Sequence, residues 1–396
     1  MNDLIIGRYI TQPGGYKAFI PHHFPPKEYL ELSDRIIRKH TEAIRLLGKL
    51  DGITELLPDK NLFLRMFIRK DASSSSQIEG TNASLADSVE SENVEPGNDL
   101  PQDVDDILHY INALDYGIER MPGFVFNMRF VRELHERLML GARSTQLSYP
   151  GEFRTSQNWI SGTSPANAKF VPPPIPEMKE ALSDLEKFIN ADDSYLPLVK
   201  AALIHAQFET IHPFNDGNGR TGRMLITMFL WDKKLLEMPI LYLSTFFKKH
   251  QSYYYERLNG YHNGEICEWV EFFLDGVIET ANSAIKTCAA ITKLREQDMM
   301  KIQQLNRVAS EASMKILLGL YKMPIVGIGD IKKWTKYTDK GSYNVIDRME
   351  KLGILSPMKK GDNVYAQKWI YSNYWNLFDN EMETWPLPSS TRVNHR

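Results

Sequence analysis

The sequence predicts a mainly α protein that ends in a winged helix–turn–helix unit. Three observations carry this reading. Apolar residues recur at helical spacing from about residue 26 to residue 307, broken by short polar or Gly/Pro-rich stretches. One break, residues 147–176, is long for a helical domain and mixes Ser, Asn, Gly and Pro with short β-prone pieces. After residue 308, three short helical patterns precede two strand-like runs around Lys360-Gly361-Asp362-Asn363. A chain of 396 residues is also too long for one ordinary core. The expected divisions are 1–122, 123–307, 308–378 and a polar tail, 379–396.

The elements follow in order. Residues 1 to about 30, rich in Pro, Gly and aromatics, read as an irregular arm. Helical patterns occupy 26–50 and 59–79, and Gly80 can end the second as a C-cap. Residues 84–103 are acidic and polar, a solvated loop or short helix. Periodicity returns at 103–120, 127–143, 177–190, 196–210, 219–234 and 253–263. The stretch 265–307 reads as one or two helices. In the last unit, 314–321, 331–337 and 343–352 read as helices, the third stopped by Gly353. Residues 355–358 and 364–370 then read as strands.

Composition excludes several classes. With 42% hydrophobic and 24% charged residues and a net charge of −3, the chain has the profile of a soluble globular protein. Whole-protein attraction to nucleic acid or anionic membrane is not expected. The apolar runs are too short to span a bilayer, and the first residues lack the layout of a secretory signal. Cys267 and Cys288, without metal-type spacing, fit a reduced, cytoplasmic home.

The informative segment runs from His212 to Arg223: His-Pro-Phe-Asn-Asp-Gly-Asn-Gly-Arg-Thr-Gly-Arg. Gly217 and Gly219 let the backbone approach a ligand, and a helix starts directly afterwards. Its first N–H groups and positive dipole end then face the loop, where an anion is the expected occupant. Arg220 and Arg223 lie three apart near that start. Each opposes the helix dipole at a cost of about 0.3–1 kcal/mol, which a bound polyanion offsets. Asp216 is suited to Mg²⁺ held through one carboxylate plus phosphate oxygens and water. His212, ahead of a proline and so biased toward an extended backbone, can take a proton from a hydroxyl at neutral pH. Phe214 is expected in the core. A lone His-Pro is usually a kink, a lone Gly-Asn-Gly a turn, and an arginine pair a surface ion pair. Eight specified positions in one register make coincidence an inadequate account.

This segment resembles the Fic family signature, His-x-Phe-x-(Asp/Glu)-Gly-Asn-Gly-Arg-x-x-Arg, at every specified position. Residues 159–174, Trp-Ile-Ser-Gly-Thr-Ser-Pro-Ala-Asn-Ala-Lys-Phe-Val-Pro-Pro-Pro, resemble the flap that positions the target segment. Ser75-Ser-Gln-Ile-Glu79-Gly80 is similar to the inhibitory motif (Ser/Thr)-x-x-x-Glu-(Gly/Asn) that some members carry ahead of the core. The resemblance implies a helical core with a small β-hairpin flap. It also implies transfer of AMP from ATP to a Tyr, Thr or Ser hydroxyl of a target protein, the chain itself included. On that basis His212 is the base, Asp216 holds Mg²⁺ between the α- and β-phosphates, and Gly217, Asn218 and Gly219 cradle the phosphates, Asn218 also by its side chain. Arg220 would neutralise the departing pyrophosphate and Arg223 would grip the γ-phosphate. Tyr254 and Tyr255 align with adenine-pocket positions, although a place as ordinary core aromatics accounts for them equally well. Glu79, paired with Arg223, would deny that arginine to ATP.

Ten basic and five acidic residues lie between Lys322 and Lys368, a local net of about +5, with Lys359 and Lys360 at the expected wing. That charge suits phosphate contacts. The third helix, carrying Asp347 and Glu350, lacks an Arg or Gln cluster for reading bases, which favours protein recognition or homodimer packing over DNA. Two other readings stay open: transfer of UMP, phosphate or phosphocholine on the same scaffold, and a DNA-binding regulator with a vestigial core.

Overall fold

Helices dominate the structure, but the chain opens with strands. The computed structural model describes residues 6–25, 31–57, 60–91, 101–141, 149–358 and 367–379. β1 (Gly7–Thr11) and β2 (Lys17–Pro21) pair antiparallel, with Gly7 opposite Pro21 and Thr11 opposite Lys17. The expected irregular arm is therefore a hairpin. Pro13-Gly14-Gly15 is its turn, both glycines having positive φ, and buried Phe19 anchors β2 edge-on against Tyr9.

Contacts divide the chain into two compact units, Met1–Glu55 with Phe67–Ile285, and Leu56–Met66 with Lys286–Arg396. α1 (Asp34–Thr54) is capped by Ser33, whose hydroxyl accepts from the Ile36 N–H, and it buries Ile36, Ala43, Leu47 and Leu50 on one stripe. α2 (Lys60–Ile78) ends before Gly80, whose φ of 98° supports the C-cap expectation. α3 (Leu85–Ser91) is short, and part of the polar stretch after it lies outside the described residues. α4 (Gln102–Arg120), α5 (Met128–Met139) and α6 (Ile175–Asn190) follow, each amphipathic as the periodicity predicts.

α7 (Pro197–Ile211) and α8 (Asn218–Asp232) differ from these. Buried residues cover nearly every side of both, which marks them as the centre of this unit. The flap between α5 and α6 closes through a single antiparallel bridge, Ile160 to Phe170, with Trp159 exposed beside it. α9 (Ser244–Lys249), α10 (Gln251–His262) and α11 (Ile266–Gln303) complete the helical series. The 265–307 stretch is thus one long helix.

In the second unit α12 (Arg307–Lys322) is capped by Asn306, and β3 (Ile325–Gly327), which the periodicity did not suggest, leads into α13 (Ile328–Thr335) and α14 (Asp339–Lys351). β4 (Ser356–Pro357) and β5 (Lys368–Ile370) complete a three-stranded antiparallel sheet in the order β3-β5-β4. α15 (Ser372–Asp379) closes the unit, and Tyr371 donates to the buried carboxylate of Asp298. Lys359, Lys360, the expected turn and all but the first residue of the tail lie outside the described residues. Among the described residues no helix is long and apolar enough to cross a membrane.

Candidate active site

The site is built where α7 stops and α8 starts. His212 is the C-cap of α7, its N–H donating to the Phe208 carbonyl at 3.0 Å, with φ 48° and ψ 60°. The extended backbone expected ahead of Pro213 is not what occurs. The helix ends through the left-handed conformation, which both stops it and still avoids the right-handed region that a following proline disfavours. Buried donors hold the His212 carbonyl in place: Arg154 Nε at 3.0 Å and Asn158 Nδ2 at 3.2 Å.

The imidazole is set for one tautomer. His212 Nδ1 faces the Glu209 carbonyl oxygen at 3.4 Å, an atom that can only accept, so the proton sits on Nδ1 and the Nε2 lone pair is left for a substrate proton. Burial lowers the His212 pKa to about 4, with the Arg154 charge acting in the same direction, so the ring is neutral at pH 7.

The loop then braces itself. Asn218 Oδ1 accepts from the Phe214 N–H and its Nδ2 donates to the Phe214 carbonyl, both at 2.8 Å. The Asn218 side chain, expected to contact phosphates, braces the loop in this structure. Phe214 is fully buried and stacks on His135, centroids 3.6 Å apart. His135 Nδ1 accepts from the Gly151 N–H, so its Nε2–H donates to the Asp216 carbonyl at 3.0 Å. Burial holds its pKa down to about 4, which preserves that donor pattern at neutral pH. The exposed Asp216 carboxylate accepts from the Gly217 N–H at 2.6 Å.

Gly217, at φ 75°, provides no side-chain cap for α8, so the helix opens with its N–H groups toward the loop. A Cβ on Gly219 would collide with Glu79 Oε1 and lie 3.0 Å from Arg223 Nη1. Glu79 therefore rests its carboxylate directly on the glycine in the first turn of α8. It is an internal anion at a helix N-terminus. Arg223 Nη2 donates to Glu79 Oε1 at 2.7 Å, and the same guanidinium donates to Ser75 Oγ at 2.9 Å and the Ser75 carbonyl at 3.0 Å. Burial is the largest single influence and works against the Arg223 charge, but Glu79, Tyr254 and Glu209 together outweigh it and keep the group protonated.

The turn that ends α2 is fixed from behind. Gln251 Nε2 donates to the Ile78 carbonyl at 2.8 Å, Tyr255 reaches the same oxygen, and Lys248 donates to Gln77. Asp71, one turn before Ser75, is buried and accepts from Tyr110 at 2.7 Å and from the Ser244 N–H at 3.1 Å.

Arg220 is also buried rather than on the surface. Its Nη1 lies 3.8 Å from Asp106 Oδ1 and its Nη2 3.7 Å from Met139 Sδ, while Nε has no partner among the described residues. Of the two tyrosines, Tyr254 is in the core with its hydroxyl 2.8 Å from His205 Nε2. Tyr255 is partly exposed near Glu79. Of the pair, Tyr255 is the one whose side chain reaches the surface.

Residues 125–230 match the Fic/DOC family, and residues 37–119 match the Fic/DOC family N-terminal region. The chain carries a Fic/DOC domain preceded by a Fic/DOC N-terminal region. The Fic core thus includes the whole 212–223 segment, and the N-terminal match covers Glu79. The protein adenylyltransferase Fic of Culex quinquefasciatus is 28% identical over 209 residues, 50% of this chain and 38% of that one. The Nematostella vectensis protein of the same name is 29% identical over 215 residues, 50% of this chain and 44% of that one. The alignments span less than half the length of these relatives. A Fic family protein from Desulfovibrio desulfuricans G20 superposes with a TM-score of 0.57 at 18% identity, covering 86% of this chain and 97% of that one. A Fic domain containing signaling protein from Bacteroides thetaiotaomicron superposes at 0.50 with 19% identity, covering 63% and 97%. Both likenesses concern the fold.

Sequence reading missed four contributors to the Fic site: Ser75 as an arginine ligand, His135, Arg154 and Glu209. None belongs to the signature positions. The last is a carboxyl on the final turn of α7, with Oε1 buried, unpartnered among the described residues and pressed on Gly222. Burial raises its pKa from 4.5 to about 8, Arg223 opposing and Glu79 reinforcing. Folding holds this proton where the unfolded chain releases it near 4.5. Its contribution to stability is therefore present at low pH and lost as pH rises toward and through about 8. Glu209→Gln is expected to raise Tm by about 2 °C or more at pH 8.5 and to leave it nearly unchanged at pH 4.5. Equal shifts at both pH values, read by calorimetry, would count against a neutral buried carboxyl.

Proposed function

We propose that this protein transfers AMP from ATP to a Ser, Thr or Tyr hydroxyl of a protein, itself among the substrates, and that Glu79 holds it inactive. One observation carries the reading: the Glu79 carboxylate lies between Gly219 and Arg223, the anion position that a triphosphate needs. The relatives named protein adenylyltransferase support AMP as the transferred group.

In the released state His212 Nε2 takes the proton as the acceptor oxygen attacks the α-phosphorus. The new P–O bond forms as the bond to the β-phosphate oxygen breaks, and pyrophosphate departs. The N–H groups at the start of α8 receive the phosphate oxygens, with Gly219 allowing close approach. Arg223, freed from Glu79, takes the γ-phosphate, and Arg220, buried against Asp106, is the second positive charge for pyrophosphate. Asp216 fits Mg²⁺ bound mainly through phosphates and water: it is one exposed carboxylate, and no group of three potential ligands occurs among the described residues. Bound there, the ion would neutralise charge on the phosphates. Tyr255 is the candidate for a face of the adenine pocket.

The second unit is read as a winged helix serving protein recognition or self-association. The Lys351–Asp347 ion pair on α14 leaves that helix of mixed charge, which suits a protein surface better than a base-reading one.

The test uses two labels. Incubation of the Glu79→Gly protein with ATP labelled at the α-phosphate should label protein, whereas γ-labelled ATP should not. Label from the γ-position would replace AMP transfer with phosphoryl transfer.

A further inference from the structure

Four consecutive carbonyls, Ile211 to Phe214, carry the chain from α7 into the catalytic loop, and two residues capture all of them. Arg154 takes Ile211 through Nη2 at 3.5 Å, His212 through Nε at 3.0 Å, and Pro213 through its own backbone N–H at 2.9 Å. Asn158 Nδ2 takes His212 at 3.2 Å and Phe214 at 2.9 Å. The same guanidinium reaches on to the carbonyls of Pro173 at 2.5 Å and Ser156 at 3.3 Å, tying the loop to the chain just ahead of α6.

Arg154 is only 2% exposed, and no carboxylate pairs with it among the described residues. A buried guanidinium without a counter-charge is costly unless fixed dipoles replace water. Here those dipoles are carbonyls, including the negative end of the α7 dipole. Five donors in a rigid plane suit several carbonyls at once; an ammonium does not. The arrangement holds a non-glycine residue in the left-handed conformation at the position where the base must sit.

We propose that Arg154 is a positioning residue for AMP transfer. Its planar fork fixes the main chain at His212 so that the imidazole presents Nε2 to the incoming hydroxyl, and its charge favours the unprotonated ring. This rests on the reading of His212 as the base. The groups facing that ring support it. Burial is the main influence keeping it neutral, and the Arg154 cation reinforces it from the loop. Glu79, from the end of α2, and Asp216, from the same loop, act the other way, while the Glu209 carbonyl holds Nδ1. Arg154 is the cation that balances those two carboxylates.

The test places Arg154→Lys and Arg154→Gln in the Glu79→Gly protein. Both should lower kcat about 100-fold, because a misplacement near 1 Å has that effect, while KM for ATP changes less than about threefold. Asn158→Ala should lower kcat in the same sense, by less. In protein labelled with ¹⁵N-histidine, the His212 ring should titrate at higher pH in Arg154→Gln than in its parent, and Arg154→Lys should move it less. Folded Arg154 variants that keep kcat within about threefold, or that lose only ATP affinity, overturn the proposal. If the Arg154 variants do not fold, Asn158→Ala decides, and an unchanged kcat overturns it. A Glu79→Gly protein with no His212-dependent labelling refutes AMP transfer instead; the ring titration then stands alone, and an unmoved His212 overturns the Arg154 assignment.

Discussion

Glu79→Gly is expected to raise incorporation of AMP by about 10²-fold over the unaltered chain. Three contacts hold Arg223 at the end of α2: Glu79 Oε1, Ser75 Oγ and the Ser75 carbonyl. The two serine contacts are neutral and exchangeable for phosphate oxygens, whereas the carboxylate is a charged competitor on the same arginine. Removing it does two things at once. The guanidinium loses its counter-ion, and the approach to Gly219 opens for phosphate oxygens. With the γ-phosphate seated, the α-phosphorus can align with His212 Nε2. Glu79→Gln separates these effects, since it retains the bulk over Gly219 while losing the charge; it should fall between the parent and Glu79→Gly. Initial rates of protein labelling read this out. Equal rates for parent and Glu79→Gly would refute inhibition by this contact, whatever the activity.

The second large effect concerns the base. His212→Ala in the Glu79→Gly background is expected to reduce the rate by 10²–10⁴-fold, the range that a positioned general base supplies. Affinity for ATP should change little, because on the proposed reading the phosphates would be received by the backbone at the start of α8 and by two arginines, not by imidazole. Isothermal titration with ATP and Mg²⁺, beside the labelling rate, separates the two. A variant that binds ATP and still labels at an undiminished rate would remove His212 from proton transfer. Since folding holds the ring unprotonated at neutral pH, the base needs no activation by a change of pH. On the proposed reading, release of Glu79 would be the controlling event.

Much of this was legible in the residues. Helical spacing located most of the helices because each of these buries one stripe, and Gly80 marked the end of α2 through its need for positive φ. The signature marked the segment from His212 to Arg223 that joins the end of α7 to the start of α8. The Glu79–Arg223 contact was readable from the inhibitory motif although 144 positions separate the pair. The failures have physical causes. Pro13-Gly14-Gly15 looked like punctuation in a loose arm, and only the pairing of Tyr9 with buried Phe19 shows it to be a turn. The preference of a residue before proline for extended backbone gave way at His212 to helix termination and to two donors on its carbonyl. Arg154 and His135 reach the loop from 58 and 81 positions away, and a lone arginine or histidine carries no local mark of such a task. The serines 73–76 read as low complexity, yet all four are buried and one binds Arg223.

The central claim is that Glu79 and the γ-phosphate compete for Arg223 within reach of His212. Crystals of the Glu79→Gly protein with ATP and Mg²⁺ test it most directly. The account predicts the γ-phosphate on Arg223, phosphate oxygens on the N–H groups that open α8, and the α-phosphorus facing His212 Nε2. A triphosphate seated elsewhere, or one in this cleft with Arg223 still on Ser75 and its γ-phosphate away from that arginine, would contradict it.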